Sequence, residues 1–239
     1  MPRTAVRRTV GSDGVAEVAR AIANGPRAAM LDLLLDARSH PAGVLAREAG
    51  VAPSTASGHL AALVDHGLVT IEDVGRQRRY RIAGPDVAHA IEALAVLATP
   101  TSVSSLRQAA SARQLRDART CYDHLAGRLG VAVTEALVSQ RALRRTDGGF
   151  EVTPSGRSLV EGIGVDLEGA RRRRRGFALA CLDWTERRSH LGGALGAAIC
   201  DRFVELGWVR RRPAGRAVLL SDHGAKGLAG LGIELASDA

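Results

Sequence analysis

Much of what would mark an enzyme, a membrane protein or a disulfide-stapled secreted protein is missing from this 239-residue chain. Its three cysteines, Cys121, Cys181 and Cys200, are too few and too scattered for a disulfide framework. No apolar run is long enough to span a bilayer. The opening MPRTAVRRTV carries charge with no apolar segment behind it, unlike a secretory signal. There is no HExxH, no GxSxG elbow, no Walker loop and no GxGxxG following a strand. The glycine-rich Gly227–Gly232 falls inside a predicted helix, and no Ser/His/Asp or Cys/His catalytic arrangement stands out. Catalysis is therefore not expected, and the chain reads as soluble and cytoplasmic. Lysine is nearly absent too. Lys226 is the only one, and with so much Ala, Gly and Val this points to a GC-rich bacterial genome rather than to a special function.

What is present is apolar content and positive charge. At 46% hydrophobic residues the chain can build one large core or two ordinary ones. Its net charge of +8 suits a polyanionic partner without identifying one. The stretch from Ala42 to Ile82 narrows the choice. Val44, Leu45 and Ala49 mark a short helix that Gly50 ends. Ser54 and Thr55, behind Pro53, offer a polar start to a second helix. Ala56, Leu60 and Leu63 give that helix one apolar face. Its opposite face, with Ser54, Ser57, Gly58 and His59, is small, polar and free of carboxylates, so it can enter a DNA major groove. Leu68, Val69 and Ile71 then start a strand that returns through Tyr80 and Ile82. Gly75-Arg76-Gln77-Arg78-Arg79 lies at the tip. This is the pattern of a winged helix-turn-helix.

Flanking helices complete a domain over 13–98. Val15, Val18, Ala19 and Ile22 form an apolar stripe; Met30, Leu31, Leu33, Leu34 and Leu35 make a core helix; Val87, Ala90, Ile91, Leu94 and Leu97 line a last one. The basic tail with Arg3, Arg7 and Arg8 reads as a loose end that could also touch phosphates. In this order, the runs NGPRAAMLDLLL, LAREAGVAPSTASGHLAALVDHGLV and GRQRRYRI resemble the ArsR family of winged-helix repressors, particularly the actinobacterial branch with cadmium- and lead-responsive members. The resemblance covers a little over a third of the chain. It implies double-stranded DNA as partner, a homodimer held by the first and last helices of the domain, and two reading helices on a palindromic operator. It also implies base or phosphate contacts from Ser54, Thr55, Ser57 and His59, and wing contacts from Arg76, Gln77, Arg78 and Arg79. Where metal sensors of the family carry thiolates, this chain has Ala42-Gly43-Val44, Ala62 and His66, so those sites are gone.

Residues 1–98 hold 11 arginines against 10 carboxylates, whereas 99–239 hold 22 basic against 15 acidic residues. Phosphate affinity in the first part must therefore come from placement, and the wing supplies it. The second part contains an internal repeat. His124–Val133 recurs as His190–Ile199 at an offset of 66, which holds through Arg144-Arg145 and Arg210-Arg211. The offset then becomes 68 through Leu159–Gly164 against Gly227–Gly232. Each copy, about 119–167 and 185–235, reads as an apolar helix, a hairpin and a final helix capped at Thr153-Pro154 or Ser221-Asp222. The expected fold is mainly α with small β-hairpins (α+β): a winged helix-turn-helix followed by a pseudo-twofold C-terminal domain over 112–239, serving an effector or assembly, with a pocket between the copies.

Cys121, His124, Cys181 and His190 are the candidate effector or metal residues of that domain, and a divalent metal is the cofactor they could hold. Cys121-x-x-His124 is suggestive, but Arg187 occupies the matching place before His190. That mismatch favours a plain packing role, with Trp184 and Tyr122 as core aromatics. His66, His89 and His223 read as solitary, and Arg171–Arg175 as an exposed linker between the copies. The function expected is a dimeric DNA-binding repressor responding to a small molecule. The alternative is a metal-responsive repressor with its site in the C-terminal domain.

Overall fold

The computed structural model describes residues 11–99, 104–213 and 215–235, so the basic tail with Arg3, Arg7 and Arg8 lies outside the described residues. The chain divides into two compact units, 1–87 and 88–239.

In the first unit, α1 (Ser12–Ile22) precedes α2 (Gly25–Leu34), whose N-cap Asn24 accepts a hydrogen bond from Arg27 N at 3.2 Å. Met30, Leu31, Leu33 and Leu34 of α2 are buried, the core role their spacing foretells. A short strand β1 (His40–Pro41) leads into α3 (Ala42–Glu48) and α4 (Pro53–Asp65). The turn between these helices needs Gly50 at φ +65°, a region that disfavours a Cβ. Leu45, Ala46, Ala56, Leu60 and Leu63 seal the α3–α4 contact against α2. β2 (Val69–Val74) and β3 (Gln77–Ile82) form the wing, with β1 pairing on the far side of β3. The wing turns in two residues, Gly75-Arg76, with Gly75 at φ +62°. Gln77, Arg78 and Arg79 thus sit on β3 rather than in the turn.

The boundary falls within α5 (Pro85–Leu97), which joins the second unit from Ala88 onward. Its Glu92 is buried in an ion pair with Arg216. There follow α6 (Leu106–Asp117), β4 (Arg119–Cys121), β5 (His124–Ala126), α7 (Gly127–Ser139), β6 (Leu143–Thr146), β7 (Gly149–Val152) and α8 (Pro154–Gly162). After α9 (Leu167–Arg172) come β8 (Leu179–Leu182), β9 (Ser189–Gly192), α10 (Gly193–Glu205), β10 (Val209–Arg211), β11 (Val218–Leu220) and α11 (Asp222–Gly230).

The repeated segments take up matching elements. α7 and α10 are equal in length and 66 residues apart; α8 and α11 are equal in length and 68 apart. Thr153 and Ser221 cap α8 and α11, accepting from Gly156 N at 3.0 Å and Gly224 N at 2.9 Å. What periodicity did not reveal is a hairpin ahead of each long helix, β4–β5 in one copy and β8–β9 in the other.

The copies are interlaced. α7 packs on β9 and α10 on β5. β7 pairs with β8 through Gly149 and Leu179, while Arg119 of β4 bridges to Ala217 beside β11. One apolar core, including Leu129, Leu137, Phe150, Leu195, Phe203 and Trp208, runs through both copies. Glycine lets each long helix lie close on the strand before it: a Cβ on Gly130 would lie 2.4 Å from Leu125 O, and one on Gly196 2.3 Å from Leu191 O. Among the described residues, no helix is long and apolar enough to cross a membrane.

Candidate nucleic-acid interface and a buried cysteine–histidine cluster

In the first unit, α4 buries Ala56, Leu60 and Leu63 and turns Ser54, Thr55, Ser57 and Gly58 outward, with His59 half-buried. Ala52 is the N-cap residue of α4 and makes no side-chain cap, so Ser54 and Thr55 do not cap the helix, as their position suggested, but stand exposed within its first turn. Ser57 Oγ donates to Pro53 O at 3.0 Å. On the wing, Arg76, Gln77 and Arg78 are exposed. Arg79 is different. Its guanidinium donates to Ser39 Oγ at 3.1 Å and to Ser39 O, tying β3 to the segment before β1.

In the second unit, residues of both copies line a cleft, with Arg128 and Glu135 from one and Glu186 and Arg188 from the other, and a cysteine–histidine cluster lies apart from it. Cys121, His124, Cys181 and His190 place their ligand atoms within 4.8 Å of one another. The two sulfurs are 3.7 Å apart, and His124 Nε2 faces His190 Nε2 at 3.1 Å. Arg187 does not replace the missing cysteine: Cys121 pairs across its hairpin with His124, and Cys181 across its own with His190. Two residues separate the first pair and eight the second, so linear spacing concealed the equivalence. Tyr122 is buried in the tight turn at φ +59°, and half-buried Trp184 lies under Arg119, with the guanidinium carbon 4.4 Å from the ring centroid.

A carboxylate stands behind each imidazole. Asp123 Oδ1 lies 3.4 Å from His124 Nδ1, and Asp183 Oδ2 lies 3.3 Å from His190 Nδ1. Each carboxylate is held in turn by an arginine: Arg175 to Asp123 at 2.6 Å and Arg119 to Asp183 at 2.9 Å. In the run Arg171–Arg175 the first four are exposed, as expected of a linker, while Arg175 is half-buried. The run ends α9, stacks Arg171 on Phe177 and supplies Arg175 to the cluster. His89 is not solitary either, since its ring meets His124 edge-on at 6.3 Å. His66 and His223 are exposed.

The electrostatics follow from this packing. Cys121 and Cys181 share a hydrogen bond, which lowers Cys181 well below its ordinary value against the cost of burial, with both histidines adding to the shift. Cys121 is pushed well above its ordinary value by the same hydrogen bond and by burial. Burial opposes a charge on His124, but Asp123 and Cys181 raise it to about 9. Burial also works against the Asp183 charge, yet His190, Arg119 and Thr185 keep its carboxyl below the usual range. Cys200, outside the cluster, is pushed up to about 12 by burial. The cleft lined by both copies has a volume of about 600 Å³ and lies beside α7.

A helix with a small polar outer face, docked through a glycine turn and followed by a basic hairpin, defines a winged helix-turn-helix DNA-binding protein. Comparison with known proteins agrees. A family model described as a helix-turn-helix domain matches residues 22–72. The HTH-type transcriptional regulator YdfF of Bacillus subtilis is 41% identical over 210 residues, spanning 88% of this chain and 93% of the relative. The HTH-type transcriptional regulator Rv0324 of Mycobacterium tuberculosis is 39% identical over 92 residues, covering 38% of this chain and 40% of its own length. Among solved structures, the homodimeric winged helix-turn-helix DNA-binding domain Mb0332 from Mycobacterium bovis shows 37% identity. It covers 41% of this chain and 89% of that one, at a TM-score of 0.35. The chain belongs to the HTH-type transcriptional regulators.

Proposed function

We propose that the protein is a homodimeric repressor that reads a palindromic operator with α4 and the wing, while the second unit serves an effector or assembly. The observation that carries this reading is the outward face of α4. Ser54, Thr55, Ser57 and Gly58 are all exposed, short and uncharged, and Arg76 and Arg78 are exposed on the wing of the same unit. Short polar side chains let the helix approach base edges, while the arginines neutralise phosphates. Arg79 plays no part in this proposal beyond stiffening the wing through Ser39. Dimerisation is supported by apolar side chains left in water on the helices that the ArsR resemblance assigns to it. On α1, Val15 is 62% exposed; on α5, Leu97 is 82% exposed.

The test is a salt titration of binding to a DNA fragment taken from upstream of the gene. Arg76→Ala and Arg78→Ala should each weaken binding across sequences and lower the slope of log affinity against log salt by about 1. Binding that survives both changes with an unchanged slope overturns the wing assignment.

A further inference from the structure

We propose that Cys121, His124, Cys181 and His190 hold one zinc-like divalent cation, a structural ion that staples the two repeat copies together. Three observations carry this, and none depends on the DNA-reading role.

The first is spacing. A tetrahedral ion with bonds of about 2.3 Å to sulfur and about 2.0–2.1 Å to imidazole nitrogen sets sulfurs about 3.8 Å apart and nitrogens about 3.3 Å apart. The sulfurs here are 3.7 Å apart and the Nε2 atoms 3.1 Å apart. Two hairpins distant in sequence thus set two opposite edges of one tetrahedron, and all four donor atoms lie within 4.8 Å of one another.

The second is the direction of the imidazoles. Carboxylates stand behind both Nδ1 atoms, and the two Nε2 atoms face each other at 3.1 Å. Such an approach needs a positive centre between the rings, a shared proton or a metal ion. An outer carboxylate that fixes the tautomer and orients the ring is the usual support of a metal-bound histidine.

The third is charge and enclosure. Two thiolates neutralise a dication, and the carboxylates of Asp123 and Asp183 already have Arg175 and Arg119, so the buried group sums to zero. Sulfur and nitrogen donors select zinc-like metals over magnesium or calcium. Cys121 is fully buried and both histidines are 1% exposed, which makes this a closed, four-ligand site rather than an open catalytic one. A cavity of about 380 Å³ lined by His89, Glu92 and Cys181 gives an ion a path to the one half-buried ligand. The close sulfurs also admit a Cys121–Cys181 disulfide, but that reading leaves only a shared proton between the opposed nitrogens.

The full-length chain, purified under reducing conditions, should carry about one zinc per chain by elemental analysis, with Cys121→Ser and Cys181→Ser near zero. Metal-stripped wild type titrated with cobalt(II) should show the intense visible bands of a tetrahedral centre together with thiolate-to-metal charge transfer. Zinc should also raise its thermal midpoint and leave that of Cys181→Ser unchanged. Should the serine variants fail to fold, the wild-type cobalt titration decides alone. Weak octahedral cobalt bands, no zinc uptake by the reduced chain, or a Cys121–Cys181 disulfide as the main species with no metal each overturn the proposal.

Discussion

The two hairpins that carry the cysteine–histidine cluster do the same job by different means. β4–β5 turns over Tyr122 and Asp123 alone, whereas β8–β9 makes its connection through a much longer loop. In that loop Asp183 Oδ1 accepts from Thr185 N at 2.9 Å, Thr185 Oγ1 at 2.7 Å and Glu186 N at 3.0 Å, so the carboxylate builds the turn that the first copy lacks. Yet in both copies the order is Cys-x-Asp followed by the cross-strand histidine. Ladder register, not separation in sequence, sets which side chains stand opposite one another. The copies diverge outside that frame. Asp183 is fully buried and shared among Arg119, Gly127 N at 2.7 Å and the loop, while Asp123 is partly exposed and leans on Arg175.

This difference predicts the largest effect. Asp183→Asn leaves Arg119, itself fully buried, without its counter-charge and should cost about 3–5 kcal/mol. Asp123→Asn, with side chains 22% and 17% exposed across its ion pair, should cost about 1 kcal/mol or less. Both tryptophans, Trp184 and Trp208, lie in the second unit, so denaturant titration followed by tryptophan fluorescence reads that unit directly. Equal losses would mean that the two carboxylates are interchangeable and that the asymmetry is superficial.

How much of this could be read beforehand divides along the same line. The winged helix was legible because its signals are local: Gly50 at positive φ, the apolar spacing of Ala56, Leu60 and Leu63, and a two-residue turn at Gly75. The long helices of the repeat were legible because their offset is constant. The leading hairpins were not. Their first strands match at an offset of 60 and their second at 66, and the longer loop absorbs the difference. Arg175 and Arg119 were hidden for another reason: an arginine's partner depends on tertiary approach, and the run Arg171–Arg175 has the composition of a solvated linker. The four cysteines and histidines were legible as a set, and the repeated Cys-x-Asp was the signal that could have paired them correctly.

A smaller effect sharpens the comparison from the packing side. Gly130→Ala and Gly196→Ala each drive a methyl group into a backbone carbonyl of the preceding strand, Leu125 O or Leu191 O. Backbone cannot swing aside as a side chain can, so each change should cost about 2–3 kcal/mol in the same titration. Each glycine also lies next to the other copy's histidine. His190 Cβ is 3.7 Å from the Cβ position of Gly130, and His124 Cβ is 3.1 Å from that of Gly196. Matched losses would establish that the interlacing is symmetric in energy as well as in shape. A harmless Gly196→Ala beside a damaging Gly130→Ala would show that only one copy has kept the constraint.

The smallest effect discriminates most finely, because it concerns groups that the divergence has not touched. Thr153 Oγ1 accepts from Gly156 N and donates to Arg141 O at 2.7 Å; Ser221 Oγ accepts from Gly224 N and donates to Gly207 O at 2.7 Å. Both bonds of each cap are therefore reproduced in the other copy. Thr153→Ala and Ser221→Ala should each cost about 1 kcal/mol, the usual worth of an N-cap, and should agree with each other within about 0.5 kcal/mol, the scatter expected between independent sites. A clear gap between them would place the loss of equivalence in the helices themselves, since neither cap touches the β4–β5 and β8–β9 hairpins, where the copies differ most in sequence.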